Sequence, residues 1–182
     1  FGSPVAENPQ ENKPIQQSLF DQEVMERVKT NTLNTLENTR HNYQNIETEK
    51  ELKAFIDQLS RLSAFCFDTE TTGLNVHDAE LVGISFSFHP GEAFFIHFNE
   101  NEERTRQCIS LLKPVFENKN IVKAGQNLKY DILVLRNYDV RVSGPFFDTM
   151  IAHYILRPEL KHNMDFMAEQ YLDYKPRSEE RR

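Results

Sequence analysis

Two hydrophobic periods, one helical and one of strand type, take turns along this chain. Leu52, Phe55, Ile56, Leu59 and Leu62 follow the spacing of one helical face, and Thr48 with Glu51 three residues later fits a capping box at its start. Ala64 to Glu70 then reads as a strand, followed by a turn at Gly73 and an irregular loop through Asp78. Leu81 to Phe88 places Val82, Ile84, Phe86 and Phe88 on one strand face, and Pro90-Gly91 turns the chain into Ala93 to Phe98. These three strands are expected as an antiparallel meander.

Helix and strand alternate after that. Glu102 to Phe116 carries Ile109, Leu112 and Phe116 at helical spacing, with Pro114 expected to kink the helix or mark its end. Ile121 to Ala124 is a short buried strand, and Asn127 to Asn137 is a helix through Leu128, Ile132 and Leu135. Val140 to Val142 reads as extended, Asp148 as the N-cap of a helix to Leu156, and Asn163 as the start of a last helix. Met164, Met167, Ala168 and Tyr171 share one face of that last helix and read as packing residues. The pattern predicts an α/β fold, a mixed sheet with helices packed on it.

The N-terminal stretch has another character. Residues 1 to about 18 are rich in Pro, Asn, Gln and Glu, and the loose helical period from Leu19 to Asn38 is interrupted by Thr and Asn. Residues 1–42 therefore read as a connector, 43–176 as the folded domain and 177–182 as a solvated tail. The chain begins without Met, which suggests a piece of something longer, and it shows no secretory signal. No apolar run approaches the roughly 20 residues that span a bilayer. Cys66, in the predicted core strand, and Cys108 are expected as reduced thiols of a cytosolic protein.

A net charge of −7 argues against gripping nucleic acid by bulk electrostatics. Phosphate chemistry on such a chain would need metal ions to supply positive charge. Asp68 and Glu70 offer a place for them. Alternation puts both carboxylates on one face of the strand, where they repel each other and where a divalent cation would compensate. Asp131, one helical turn beyond Asn127, is the natural third carboxylate. Oxygen-only donors suit Mg²⁺ and Mn²⁺, and two such ions about 4 Å apart can drive phosphodiester hydrolysis. Asp148 and Asp165 read as helix caps, and His77, His97, His153 and His162 lack ligand spacing and read as surface or satisfied core residues.

Longer motifs carry a resemblance. Phe67-Asp68-Thr69-Glu70-Thr71 resembles the first motif of the DEDD (DnaQ-like) 3′→5′ exonucleases. Gly125-Gln126-Asn127-Leu128-Lys129-Tyr130-Asp131 is similar to the second motif in the form carried by bacterial family A DNA polymerases. Leu81-Val82-Gly83-Ile84-Ser85-Phe86-Ser87, Phe147-Asp148-Thr149-Met150 and His162-Asn163-Met164-Asp165 continue the match in order, from about Tyr43 to Lys175.

That resemblance implies a ribonuclease H-like sheet and a proofreading exonuclease that removes 3′-terminal nucleotides with two divalent ions, Mg²⁺ or Mn²⁺. Asp68 would bridge both ions, Glu70 would bind the first, and Asp131 would reach the second largely through water. Leu74 would wedge against the terminal base, while Thr71, Gln126, Asn127 and Tyr130 would contact the frayed or single-stranded 3′ end of DNA. The implied partners are that DNA end and the polymerase and 5′-nuclease domains of a parent chain. The implied setting is a monomeric exonuclease unit in a bacterial cytoplasm, away from membranes.

One departure stands out. The family's third motif, a Tyr followed four residues later by a metal-binding Asp, is not found, since Tyr171 and Tyr174 are followed at that spacing by Lys175 and Ser178. The expectation is a C-terminally incomplete domain, impaired or inactive, whether truncated or altered at its end. The competing reading is a non-catalytic structural or DNA-contacting module of the polymerase. An RNA-directed relative is a third reading, against which the Gln126 to Asp131 match argues.

Overall fold

A computed structural model describes residues 33–98 and 102–177. Among them the sheet is built around the strand Ala64–Thr71 (β2), whose residues alternate between the two sheet faces. Phe65, Phe67 and Thr69 are buried, whereas Ala64, Cys66 and Asp68 are exposed and Glu70 is half-buried. Leu81–Ser87 (β3) pairs antiparallel with β2, and Glu92–His97 (β4) pairs antiparallel with β3, so the expected meander forms. Val122–Gly125 (β5) lies parallel to β2 on its other side.

Two outer strands complete the order β1-β4-β3-β2-β5-β6. The strand Asn42–Asn45 (β1) joins β4 in parallel, and Phe146–Asp148 (β6) joins β5 in parallel. Extended structure was expected at Val140 to Val142. Instead Val140 is buried in the core beyond a helix end, and pairing begins only at Phe146, where Lys123 N–H can donate to the Pro145 carbonyl at 3.0 Å. β1 carries no hydrophobic signal because all four of its residues are exposed.

Five helices flank the sheet among the described residues: Glu49–Ser60 (α1), Glu102–Phe116 (α2), Leu128–Arg136 (α3), Thr149–Leu156 (α4) and Met164–Leu172 (α5). The capping box of α1 is present in full, with Glu51 N–H donating to the Thr48 hydroxyl and Glu51 Oε2 accepting from Thr48 N–H. Pro114 does not end α2. It sits in the final turn, and the helix closes two residues later at Phe116.

Helices α1, α2 and α3 supply Leu52, Phe55, Leu59, Ile109, Leu112, Val115, Phe116, Leu128, Val134 and Leu135 to one core with Phe65, Phe67, Ile84 and Phe86. Phe67 and Phe116 meet edge-on at 5.1 Å between ring centroids, and Phe86 lies 5.9 Å from Phe116. That core covers the buried face of β2 and leaves the Cys66 and Asp68 face outside it. Cys66 is therefore exposed, contrary to the expectation of a core thiol, because strand alternation puts it with Asp68. Helix α5 also departs from expectation: Met164 and Tyr171 are about half exposed and none of its residues is buried.

The helical period suggested from Leu19 lies outside the described residues as far as residue 32, and the tail beyond Arg177 is likewise outside them. From Leu33 to Arg40 the chain forms a turn and no helix. Asn34 N–H donates to the Asp173 carbonyl at 2.8 Å, and Lys175 N–H donates to the Asn34 carbonyl at 2.8 Å.

Candidate active site

Where β2 ends, three acidic residues from two elements come to the same strand. Asp68 and Glu70 project from its outer face. Asp131, in the first turn of α3, is 2% exposed and docks on the residue between them. Its Oδ1 accepts from Thr69 N–H at 2.9 Å and from the Thr69 hydroxyl at 2.6 Å. Burial pushes the Asp131 carboxyl above its ordinary range, the two Thr69 bonds pull the other way, and the nearby Asp148 charge adds to the rise. The Cys66 thiol is also pushed up, first by desolvation and then by the charges of Asp68 and Asp131, so both acids are felt at that point of the sheet.

The close approach of β5 sets this arrangement. A Cβ on Gly125 would sit 3.0 Å from the Phe67 carbonyl oxygen and 2.5 Å from Leu128 Cδ2, so only glycine lets the end of β5 lie this near β2. Asn127 then takes a left-handed backbone conformation, φ 58° and ψ 43°, before α3 begins. Asp148 holds both helix starts at once. Its Oδ1 accepts from Asn127, Met150 and Ile151 N–H at 3.2, 2.9 and 3.2 Å, and its Oδ2 accepts from Leu128 N–H at 2.8 Å. The capping role expected for Asp148 is present and extends to a second helix.

The remaining predicted residues fall around this point. Leu74 stands at a loop tip, 93% exposed. Tyr130 OH donates to the Gly73 carbonyl at 2.5 Å and lies 2.6 Å from the Thr71 hydroxyl. Gln126 is engaged at both ends of its amide: Nε2 donates to the His162 carbonyl at 2.8 Å, and Oε1 accepts from the Thr149 hydroxyl. Asn127 is exposed. His153, read from sequence as a surface or satisfied core residue, is buried between His162 Nδ1 at 2.7 Å and Tyr171 OH at 2.8 Å. Thr69 was not singled out from the sequence, although a hydroxyl on the core face of a strand requires a buried partner. That requirement was the signal.

The donors at the strand end are hard carboxylate oxygens, which fit Mg²⁺ or Mn²⁺. Mg²⁺ is commonly held by one or two carboxylates and completed by water and substrate phosphate, and the Asp68 and Glu70 pair matches that pattern. Among the described residues no group of three or more His, Cys, Asp or Glu side chains is disposed to hold a metal ion. Asp131 commits Oδ1 to Thr69 and is not gathered with the pair into such a group.

A family model described as 3′-5′ exonuclease matches residues 43–182. The chain belongs to this family. It is 36% identical over 167 residues to the DNA polymerase I of Borreliella burgdorferi, covering 88% of this chain and 18% of that polymerase. The chain thus spans less than a fifth of that relative's length. Among solved structures it resembles Escherichia coli RNase D, an exoribonuclease involved in structured RNA processing, with a TM-score of 0.61 at 23% identity over 78% of this chain and 36% of the other. It also resembles Brucella melitensis NrnC with bound Mg²⁺, with a TM-score of 0.57 at 20% identity over 77% of this chain and 65% of the other. The mixed sheet with its flanking helices is a ribonuclease H-like fold.

Proposed function

We propose that this chain is the proofreading exonuclease part of a DNA polymerase I, which excises the 3′-terminal nucleotide of frayed DNA as a 5′-monophosphate. The observation that carries this reading is the meeting of two exonuclease motifs at one point. The strand with Asp68 and Glu70 receives Asp131 through two hydrogen bonds to Thr69. The sequence relationship to a DNA polymerase favours DNA over the RNA substrate of the structural neighbour, whose identity is lower.

Asp68 and Glu70 would hold divalent metal, with Asp131 shaping the second position from the buried side. Bound metal would supply a Lewis acid and an activated water for attack on the terminal phosphodiester. Two ions are proposed on the chemistry of in-line displacement. The chain's own residues then do the positioning. Leu74 and Asn127 present exposed groups to the strand end, and Gln126 braces the start of α3 against the His162 segment. No helix among the described residues is long and apolar enough to cross a membrane; a bacterial cytoplasm is proposed from the sequence relationship to a bacterial DNA polymerase I alone.

A second reading has one observation in its favour. Among the described residues the acids do not form a group of three able to hold a metal, which suits a module that contacts DNA without cutting it. The two separate on DNA labelled at its 3′ end, using the full-length polymerase with its polymerase site disabled. Release of labelled 5′-monophosphate in Mg²⁺, abolished by chelation, is the expected result. Binding without release would establish the non-catalytic module.

A further inference from the structure

We infer that the imidazoles of His153 and His162 form a proton-operated latch, which holds α5 and the segment before it against α4 and opens when both rings are protonated. The latch is a property of the fold and stands whether or not the exonuclease reading holds. Among the described residues, His153 is the only buried member of α4, and α5 has none. An ionisable ring therefore occupies the place where an apolar side chain would ordinarily join two helices. Both of its nitrogens are engaged: Nδ1 lies 2.7 Å from His162 Nδ1, and Nε2 lies 2.8 Å from the Tyr171 hydroxyl. Phe166 and Tyr171 of α5 place their rings 6.3 and 5.4 Å from that of His153, and the Tyr154 ring lies 5.1 Å from that of His162.

A hydrogen bond between two nitrogens needs one proton and only one. With both rings neutral, one Nδ1 donates and the other accepts. If His153 Nδ1–H is the donor, its Nε2 accepts from the Tyr171 hydroxyl. If His162 Nδ1–H is the donor, His153 Nε2–H donates to the Tyr171 oxygen. One added proton is accommodated: it goes to the nitrogen left bare, His153 Nε2 or His162 Nε2, and the bond between the rings persists. A second added proton puts N–H on both Nδ1 atoms. Two cationic donors then face each other at 2.7 Å, and attraction turns to repulsion. The closed form holds at most one extra proton and the open form two, so falling pH favours opening.

The elements around the pair leave the imidazoles to do the switching. On α4 and its C-cap the other ionisable groups are Tyr154 and Arg157, and on the connecting segment Glu159 and Lys161. Arg157 and Glu159 pair with each other at 3.8 Å. On α5, Tyr171 bonds His153, while Asp165 and Glu169 are exposed. On β6, Asp148 is committed to four backbone N–H groups. Helix α5 has little apolar burial of its own: Phe166, Met167 and Ala168 are half-buried and its other residues are exposed. Ahead of it, the His162 carbonyl accepts from Gln126 Nε2 at 2.8 Å, so the latched segment reaches the end of β5.

The test is amide hydrogen exchange on this chain between about pH 8 and 5, the range over which imidazole changes charge. Rates are corrected for their intrinsic pH dependence, with α1 as internal reference. Protection at Met167 to Leu172 is expected to fall about tenfold relative to α1 as pH drops, the scale of one lost hydrogen bond. His162→Asn keeps a hydrogen-bonding group near the Nδ1 position and takes up no proton, so its α5 protection is expected to stay level with pH. Tyr171→Phe removes the outer bond alone and is expected to lower protection throughout while keeping the pH dependence. A scalar coupling between the two Nδ1 nitrogens near neutral pH, measured by NMR on the unaltered chain, checks the bond itself and needs no substitution. Should His162→Asn fail to fold, that coupling and the exchange of the unaltered chain decide. Level α5 protection in the unaltered chain, an equal fall in a folded His162→Asn, or no coupling between the rings would each overturn the latch. None of these readouts uses nucleotide release, so a failure of the exonuclease reading would leave them intact.

Discussion

Asp131, given a metal-site role in the proposed function, occupies its position at a cost in stability. Its carboxylate is buried, raised in pKa by that burial, and near the Asp148 charge. Asn at this position keeps an oxygen for the two Thr69 bonds and removes the buried negative charge. Asp131→Asn is therefore expected to leave thermal stability within about 1 kcal/mol of the parent chain, since the hydrogen bonds persist. Excision in the full-length polymerase is expected to fall by about 10²-fold or more, the scale of a lost positioned catalytic group. A denaturant melt beside a rate measurement checks both halves.

Lys123 is the other costly residue, and it lies away from the chemistry. Its side chain is fully buried, with the ammonium donating to the Ser143 carbonyl at 2.6 Å and to the Asn118 carbonyl. Burial lowers its pKa to about 8. Between that value and the ordinary lysine value near 10.5 the unfolded chain binds more protons than the folded one. This lysine's contribution to stability therefore rises as pH climbs from about 8 through 10.5, and its cost is fully present below 8. Subtracting the pH profile of Lys123→Met from that of the parent chain should reveal an alkaline rise, and identical slopes would contradict it. Nothing in the one-dimensional pattern marks Lys123. Its partners are the backbone carbonyls of Asn118, five residues before it, and of Ser143, 20 residues after it, which the fold brings to one ammonium.

Among the elements, Asp148 joins α3 to α4. Four backbone N–H groups depend on its two oxygens, so Asp148→Ala is expected to cost about 2–4 kcal/mol, the sum of two helix caps. A fall in Tm of roughly 5–15 °C follows for a domain of this size. Asp148→Asn, which keeps one acceptor oxygen, should recover part of the loss. The helix cap was legible because Asp148 immediately precedes an apolar helical run. The second capping role was not, because Asn127 lies 21 residues away in sequence.

The same division between local and distant causes runs through the other elements. The capping box of α1, the meander of β2, β3 and β4 and the core helices all follow from spacing within a dozen residues. Strand β1 was silent because an edge strand of exposed polar residues carries no apolar period. Strand β6 was expected too early because Val140 and Val142 are apolar for burial behind α3, not for pairing. The predicted face of α5 packs only in part: Met167 and Ala168 are half-buried and Tyr171 reaches the buried His153, while Met164 stays exposed.

At the scale of the whole molecule, the motif order and the α/β class were readable from the chain, and the family match over residues 43–182 agrees with both. The pairing of Asp68 with Glu70 was readable too, because alternation alone decides it. The docking of Asp131 on Thr69 was only half visible: the helix was predicted, but the bond that fixes the carboxylate needs the parallel contact of β5 with β2. The proposed activity rests on the outer face of β2, where metal held by Asp68 and Glu70 would supply positive charge for a phosphate. The most direct measurement is the rate of 3′-nucleotide release from single-stranded DNA by the full-length polymerase, with Asp68→Ala beside the unaltered protein in Mg²⁺ and in Mn²⁺. A fall of about 10²–10⁴-fold in both metals is predicted, on the scale of a lost group that stabilises charge in the transition state. Undiminished release by Asp68→Ala would contradict the assignment of this strand end as the active site.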